Sequence, residues 1–323
     1  MATRRPPLYE VHEDRGAGFT DFGGWEMPVE FDSIRAEHTA VREAAGIFDV
    51  SHMGEIRVEG PDAETLMQRL TTNDIAAMEP GDAQYACITD EDGIIHDDTM
   101  TYRLPEGGYL FVPNAGHDEE AEARWVDYRD EHDLDAEVTN ETADWAMFAV
   151  QGPDAVGLAA DAVDALGAPL EAESDDLADL SRFTATRATV AGVDCLVART
   201  GYTGEDGVEI LCAADGAEAV WAEFDCQPAG SARGTRSGWS RGSCSPGRTS
   251  TPRRTPEPPT RPASASPSTS TRSSSAATRW RPRKRPASRR RSPASCCRNA
   301  ASPATATRSP TTARRWVKSP AGR

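Results

Sequence analysis

Residues 93–104 read GIIHDDTMTYRL, an alternating pattern that is typical of a β-strand. Successive side chains of a strand point to opposite faces of its sheet. One face therefore carries Ile94, His96, Asp98, Met100, Tyr102 and Leu104, and the other carries Ile95, Asp97, Thr99, Thr101 and Arg103. The first face is the more apolar, which predicts that Asp98 points inward and Asp97 points to water. A carboxyl group in such a place is a candidate functional group, because burying an unpaired charge is unfavourable.

The same strand allows a plainer interpretation, in which both aspartates are solvated acids of a very acidic chain. His96 lies on the apolar face, and His52 follows a similar strand-like run. A lone histidine is more often a satisfied side chain than a ligand. Neither has a second His or Cys at ligand spacing, so the sequence does not favour a metal site.

The rest of the first 226 residues predicts an α+β fold with mainly antiparallel sheets and helices. Helix signals occur at 33–45, 61–70, 117–132, 153–166 and 216–224. Strand-like runs occur at 54–60, 83–89, 94–104, 108–114, 145–152, 186–198 and 207–213. Short turns at 91–93 and 106–108 join several of these runs as hairpins.

Residues 199–210, RTGYTGEDGVEI, place three glycines ahead of a strand. The run is not a phosphate-binding Walker loop, because no Gly-Lys-Ser/Thr follows, and it does not match G-x-G-x-x-G before a helix. One interpretation is a hairpin turn. The other is a backbone that approaches a ligand closely, with Tyr202 offering a flat ring and Glu209 a carboxylate acceptor.

The charge changes sign along the chain. Of 52 Asp+Glu and 35 Lys+Arg, residues 227–323 contain one acid and 22 bases, which leaves 51 acids and 13 bases before them. The formal charges, 13 − 51 = −38 and 22 − 1 = +21, sum to −17. The basic segment contains no Leu, Ile, Phe, Met or Tyr, and we therefore expect it to be disordered.

The first 226 residues contain no lysine. An acidic, lysine-free surface suggests a protein of a halophile, in which high salt screens the repulsion between acids. The sequence has no apolar run of membrane length and no signal-peptide core, so we expect a cytoplasmic protein without a membrane association.

Several runs, in order, resemble the glycine cleavage system T protein, a tetrahydrofolate-dependent aminomethyltransferase. They are GFTDFGGWEMPVEF (18–31), VREAAGIFDVSHMGEIRVEGPDA (41–63), GIIHDDTMTYRL, VPNAG (112–116), AMFAVQGP (146–153) and RTGYTGEDGVEI. The resemblance covers about residues 7–230, and its acidic, lysine-poor composition suits archaeal members. It implies a cloverleaf of three domains around a folate site. Residues 1–230 would form its folate-binding region as two packed α+β subdomains, followed by a tail at 231–323 in place of the third domain.

The resemblance also implies the chemistry. A one-carbon unit would pass from an aminomethyl group on the lipoyl arm of the H protein to tetrahydrofolate, with release of ammonia. The second Asp of the family's Asp-Asp pair falls on Asp98, which would be the catalytic residue. The folate pocket would contain Met53, Tyr85, Tyr102, Asn114, Tyr202 and Glu209. Departures from the family pattern, at residues 93–94 and 112–116, remove no charge or ring from that pocket.

We interpret the segment after Gly230 as the product of a change of reading frame. Residues 231–239, SARGTRSGW, can be encoded so that one added C restores Leu-Gly-Ala-Arg-Asp-Thr-Leu-Arg-Leu, which is the family's sequence at this point. The restored run includes an arginine that serves the folate in the family, so we expect the present chain to be defective in catalysis. Two alternatives remain: a non-catalytic folate-binding regulatory or repair relative, and, less favoured, a nucleic-acid-binding protein that uses its basic tail.

Overall fold

A computed structural model describes residues 3–167 and 176–230, and the predicted disordered tail at 231–323 lies outside those ranges. The helices are α1 (Tyr9–Asp14), α2 (Ile34–Glu43), α3 (Ala63–Leu70), α4 (Asp118–Glu131), α5 (Ala155–Ala162) and α6 (Ala217–Ala222). Single 3₁₀ turns occur at Ile75–Ala77, Leu177–Asp179 and Ala214–Gly216. Within the described ranges no helix has the length and apolar character needed to cross a membrane.

The strands form a hairpin and two larger sheets. They are β1 (Gly18–Phe22), β2 (Trp25–Glu30), β3 (Gly46–Asp49), β4 (Ile56–Glu59), β5 (Ala83–Thr89), β6 (Ile95–Arg103), β7 (Tyr109–Val112), β8 (Glu137–Asn140), β9 (Trp145–Gln151), β10 (Val163–Leu166), β11 (Ala185–Val190), β12 (Val193–Ala198), β13 (Gly207–Ala213) and β14 (Gln227–Pro228). The seven-stranded sheet has the order β10-β11-β12-β13-β9-β3-β14, and the five-stranded sheet has the order β5-β6-β7-β4-β8. All neighbours are antiparallel except β14 and β3.

Strand alternation divides the interior into three apolar cores. Along β9, Phe148 and Val150 join an outer core that α5 and α6 cover, whereas Met147 and Ala149 face the other way. Along β7, Phe111 packs with α3 and α4 in a second outer core, and its neighbours face the other way. The inner faces of both sheets therefore share a central core, which we call the inter-sheet core. A sheet that is buried on both faces explains the near-continuous apolar run of β9.

The predicted α+β class with mainly antiparallel sheets is confirmed. The strands predicted at 83–89 and 207–213 match β5 and β13 residue for residue. The helix predicted over 153–166 is wrong at its end, because the chain leaves α5 at Ala162 and β10 pairs with β11. The β-branched Val163 and the partner strand outweigh the helical pattern there. The β1-β2 hairpin and helix α1 carried no signal that sequence reasoning used.

The two sheets are joined by backbone hydrogen bonds as well as by their common core. The N–H of Ala83 donates to the carbonyl of Phe183 (2.8 Å), and that of Ala185 donates to the carbonyl of Gly81 (2.7 Å). These bonds tie the start of β5 to the start of β11. The division of residues 1–230 into two subdomains stays a prediction.

Glu37 holds three separate stretches of backbone together. Ser33 caps α2 by accepting a hydrogen bond from the N–H of Ala36 at 3.2 Å, as its sequence position predicts. Glu37, in the first turn of that helix, is fully buried. Its Oε1 accepts from the N–H groups of Phe31 (2.8 Å) and Asp32 (3.0 Å), and its Oε2 accepts from that of Gly230 (3.0 Å). One carboxylate therefore fixes the entry to α2 and the end of the described chain.

We expect Glu37→Ala to lower the free energy of unfolding by about 3 kcal/mol, because three backbone N–H groups lose the buried carboxylate that accepts their hydrogen bonds. Denaturant titration at constant KCl measures this difference. Glu43→Ala, at an exposed position of the same helix, is the matched control and should change stability by less than about 0.5 kcal/mol. Equal midpoints for the two variants would contradict the role given to Glu37.

Candidate active site

Four of the six residues predicted to form a pocket, Met53, Tyr102, Tyr202 and Glu209, lie at the inter-sheet core. Tyr102 belongs to that core, and Met53, Met100 and Tyr202 pack against it as half-buried side chains. Glu209 alternates with the outer-core residues of β13, which places it on the same inner face. The structure thus brings together residues from β6, β13 and two loops that lie far apart in the sequence.

Asp98 is half-buried and is held by two of its predicted neighbours. The hydroxyl of Tyr85 donates a short hydrogen bond to its Oδ2. The Nδ2 of Asn114 donates to its Oδ1 at 2.7 Å. Tyr85 reaches Asp98 because β5 and β6 are antiparallel neighbours and Asp98 is directly opposite Cys87, two residues along. The Asp98 carboxyl group is thus fixed in orientation and still has a partly exposed position.

Asp97 does not point to water, and this part of the sequence prediction is wrong. Its side chain is 10% exposed, and its Oδ2 accepts from the backbone N–H of Asn114 at 3.0 Å and lies 2.9 Å from Nδ1 of His117. Asn114 Nδ2 also reaches Asp97 Oδ1 at 2.6 Å. Thr99 and Thr101, which share the strand face of Asp97, are buried as well. Both faces of β6 are therefore covered. Alternation assigns side chains to the two faces of a strand, but it does not show whether either face is exposed to solvent.

The Asn114 amide therefore serves both aspartates. It donates to a carboxylate oxygen of each, which keeps two adjacent acids in place without a cation between them. Asn114 lies just after β7, beside Asp97 and Asp98 of the neighbouring strand. The prediction placed this asparagine in the folate pocket, and the structure places it against the catalytic candidate.

Glu209 is buried and accepts hydrogen bonds from strand β6 and from the glycine-rich loop. Thr200 Oγ1 donates to its Oε2 at 2.5 Å, and the hydroxyl of Tyr102 donates to the same oxygen at 3.3 Å. Burial raises the pKa of Glu209, and these two hydrogen bonds act in the opposite direction. The pKa of Tyr102 is also raised well above its usual value, first by burial and then by the charge of Glu209. Tyr102 therefore remains a phenol that can donate.

The aromatic wall of the site is formed by Tyr202 against Phe48. Their ring centroids are 5.7 Å apart at an interplanar angle of 63°, which is an edge-on contact. The Tyr202 ring is half-buried, whereas burial of its hydroxyl raises its pKa. The role of Tyr202 as a flat surface for a ligand stays a prediction.

Gln151 explains two of the three glycines of the loop at 199–210, although sequence reasoning did not single it out. Its Nε2 donates to the carbonyl of Thr200 at 3.2 Å, and its Oε1 accepts from the hydroxyl of Thr203 at 2.9 Å. A Cβ at Gly201 would lie 2.1 Å from Gln151 Oε1, and one at Gly207 would lie 2.5 Å from its Nε2. Gly201 and Gly207 are thus required by the packing around this buried amide, whereas Gly204 has a positive φ of 78°. The interpretation as a ligand-approaching loop stays a prediction.

The loop that carries Met53 is fixed by buried polar groups. Asp49 Oδ1 accepts from the N–H of Ser51 at 2.9 Å, and its Oδ2 lies 2.8 Å from Nε2 of the buried His12. His52 is buried with its ring edge-on to Phe22 at 5.1 Å. Burial lowers the pKa of His52 to about 4, although the charge of Asp49 opposes this shift.

His96 is exposed and has no place in this site. Its Nε2 lies 3.1 Å from Oδ2 of Asp90 in the turn that precedes β6. Within residues 3–167 and 176–230, no three His, Cys, Asp or Glu side chains are placed to hold a metal ion.

Comparison with known proteins identifies what the fold and the site are similar to. The family model for the GCVT N-terminal domain matches residues 8–237. A probable aminomethyltransferase of Halobacterium salinarum is 63% identical over 235 residues, which cover 71% of this chain and 62% of that protein. An aminomethyltransferase of Rubrobacter xylanophilus is 44% identical over 230 residues, covering 70% and 58%.

Among solved structures, glycine cleavage system aminomethyltransferase T from Bartonella henselae superposes with a TM-score of 0.65 at 30% identity. The alignment covers 75% of this chain and 63% of that one. The chain thus matches less than two thirds of the length of these relatives.

The buried His52 makes stability depend on pH in the acid range. Its pKa is about 4 when folded and near 6.5 when unfolded, so the unfolded chain binds more protons between those values. Stability from this group is complete above about pH 6.5 and falls by on the order of 3 kcal/mol as the pH drops to 4. We expect His52→Gln to flatten this part of the curve of unfolding free energy against pH.

The exposed His132 supplies the control, and His132→Gln should keep the wild-type slope between pH 4 and 6.5. Identical curves for wild type and His52→Gln would show that His52 is not held neutral.

Proposed function

Since the chain belongs to the glycine cleavage T-protein family of aminomethyltransferases, we propose that the candidate active site at the inter-sheet core transfers a one-carbon unit to tetrahydrofolate. The donor would be the aminomethyl group on the lipoyl arm of the H protein, and ammonia would be released. The observation that carries this proposal is the Asp98 carboxyl group, oriented by Tyr85 and Asn114 at the edge of a core that also contains Glu209.

The residues present suit a flat heterocycle with N–H donors along one edge. The Glu209 carboxyl group is buried and can accept such donors, as its bonds from Thr200 and Tyr102 illustrate. The half-buried Tyr202 ring supplies a face for stacking, and Met53 supplies an adaptable apolar contact. When bound, tetrahydrofolate supplies the nitrogen nucleophile of the reaction.

Asp98 would orient the nucleophile and stabilise positive charge in the transition state. A fixed carboxylate can accept the N–H of the attacking nitrogen and so orient its lone pair. The same negative charge stabilises the positive charge that develops on the transferred carbon as ammonia leaves. Because Tyr85 and Asn114 hold both of its oxygens, the carboxylate does not need to reorganise during the reaction.

Glu209 would contribute binding rather than rate. Its contacts with a pterin edge would be the same before and during the reaction, since no bond changes there. The hydrogen bonds from Thr200 and Tyr102 keep one of its oxygens oriented, so the ligand would meet a preorganised acceptor.

We expect Asp98→Asn to lower kcat by about 100-fold or more, because a neutral amide cannot stabilise developing positive charge. The dissociation constant for tetrahydrofolate should change little. Methylenetetrahydrofolate and ammonia are measured with aminomethyl-loaded H protein, using the chain with its family reading frame restored.

Asp92→Asn, an exposed acid of the turn before β6, is the control and should retain wild-type turnover. A rate for Asp98→Asn within about threefold of wild type would overturn the catalytic assignment.

We also propose that the sequence after Gly230 is translated out of frame. The composition change and the regrouping of residues 231–239 into a family run support this proposal. The restored run would add an arginine for the acidic end of folate, where a guanidinium pairs well with carboxylates. Sequencing the source DNA across codons 228–233 tests it, and an intact frame would end it.

We expect the 323-residue chain to have a turnover rate at least tenfold lower than that of its frame-restored version. The reason is that residues 231–239 do not contain the family run that carries this arginine. Both chains are assayed side by side in high KCl with the same loaded H protein. Comparable turnover by both would show that the family sequence beyond Gly230 is dispensable.

A further inference from the structure

Glu55 is a buried acid that the proposed mechanism does not use. It immediately precedes β4 and its residue exposure is 1%. Its N–H donates to Thr142 Oγ1 at 3.0 Å, and its carbonyl accepts from the N–H of Glu141 at 2.8 Å. Both carboxyl oxygens are buried, and neither has a hydrogen-bond partner among the described residues. Buried polar groups are nearly always paired, so this carboxyl group calls for a ligand.

Strand alternation places Glu55 toward the inter-sheet core. Ile56 belongs to the outer core of the five-stranded sheet, so the residue before it faces the opposite side. Ile56 is directly opposite Phe111, and the register brings Glu55 beside Val112, which is itself opposite Met100. Glu55 is also close enough to the Tyr102 hydroxyl for its charge to raise the pKa of that group. The unpaired acid thus belongs to the same interior as the candidate active site.

The charges around Glu55 are negative, and the nearby cations are already engaged. Asp118 and Glu141 both raise the pKa of Glu55, after the larger effect of burial. Asp118 is paired with Arg4 at 2.8 Å, and Glu141 with Arg57 at 2.7 Å. Trp145 Nε1 also donates to Glu141, at 3.0 Å. The field at Glu55 therefore opposes an anion and favours a positively charged partner.

We propose that Glu55 binds a cationic nitrogen group, of the ammonium or primary aminium class, within the inter-sheet site. Such a group provides the positive charge that the surrounding acids favour and the N–H donors that two unpartnered oxygens can accept. The identity of the natural ligand rests on the proposed function, in which either released ammonium or the amine end of the aminomethyl arm could supply this group. The binding claim itself rests on Glu55 and its neighbours.

Proton balance is simple in this arrangement. With no cation bound, burial and then the charges of Asp118 and Glu141 raise the pKa of the Glu55 carboxyl group, which favours its protonated form. When a neutral amine enters, the proton passes from a Glu55 Oε to the nitrogen, and a carboxylate–aminium pair forms. When an ammonium or aminium cation enters instead, as when its chloride salt is added, the Glu55 proton is released to water and the same pair forms.

The test uses the 323-residue chain and measures Tm, which needs no turnover. About 0.2 M of a constant NaCl background is replaced by ammonium, methylammonium, potassium or tetramethylammonium chloride, so that ionic strength stays fixed. We expect ammonium or methylammonium to raise Tm by about 3 °C relative to sodium. Tetramethylammonium carries charge without N–H donors and should give no rise.

Glu55→Gln should abolish the rise, because a neutral amide offers an oxygen but no charge to pair with the cation. Glu55→Met, an apolar replacement, should also abolish the rise and serves as the test if the Gln variant folds poorly. Glu59→Gln, at an exposed acid at the end of β4, should keep the wild-type rise. A rise with ammonium alone identifies free ammonium as the natural ligand, and a rise with methylammonium identifies the amine end of the arm.

Three results would overturn the proposal. Equal Tm values in all four chlorides would mean that the Glu55 oxygens hold no more than a buried water. An equal rise in Tm with potassium would show that the site does not require a nitrogen group. A rise that persists in Glu55→Gln would show that Glu55 is not the binding residue. Failure of the proposed function is distinguishable, since it appears as absent methylene transfer by the frame-restored chain whatever the Tm values are.

Discussion

The hydrogen bond from Tyr102 to Glu209 joins the two sheets at the centre of their common core. Tyr102 comes from β6 of the five-stranded sheet, and Glu209 comes from β13 of the seven-stranded sheet. A buried carboxyl group is unfavourable unless it is hydrogen-bonded, so each sheet must be in register for the bond to form. Thr200 completes the arrangement from the glycine-rich loop, whose backbone is held by Gln151. The position of the loop, of both strands and of the apolar wall around them follows from satisfying this one acid.

The candidate active site is built on the same principle with a different distribution of charge. Asp97 and Asp98 are adjacent acids on opposite faces of β6, yet a single Asn114 amide reaches an oxygen of each. An amide can donate twice, so it holds the pair without introducing the cation that would neutralise it. Asp98 thereby keeps a fixed orientation from Tyr85 and Asn114, while Asp97 is held by Asn114 and lies against His117. Asp97 fixes the position of Asn114 by accepting hydrogen bonds from it, and Asp98 lies on the strand face that carries the candidate active site.

Much of this arrangement could be predicted from sequence, and the failures have physical causes. The strand at 94–104 and the inward direction of Asp98 follow from period-two alternation, which is a local property. The burial of Asp97 does not, because it depends on Asn114 and His117 after the next strand. Gln151 and Glu55 went unnoticed for the same reason, since their partners, or lack of them, are set by residues distant in sequence. Val163 shows the limit of helical periodicity, because a neighbouring strand decides where α5 ends.

The short strand β14 has a consequence for how copies of this protein meet. Among the described residues it forms the outer edge of the seven-stranded sheet, beside β3. An open sheet edge is a template on which a second molecule can add a strand. Here the edge strand has two residues, and one of them is Pro228, which has no N–H to offer. Along its two residues, β14 therefore gives an approaching strand little to pair with.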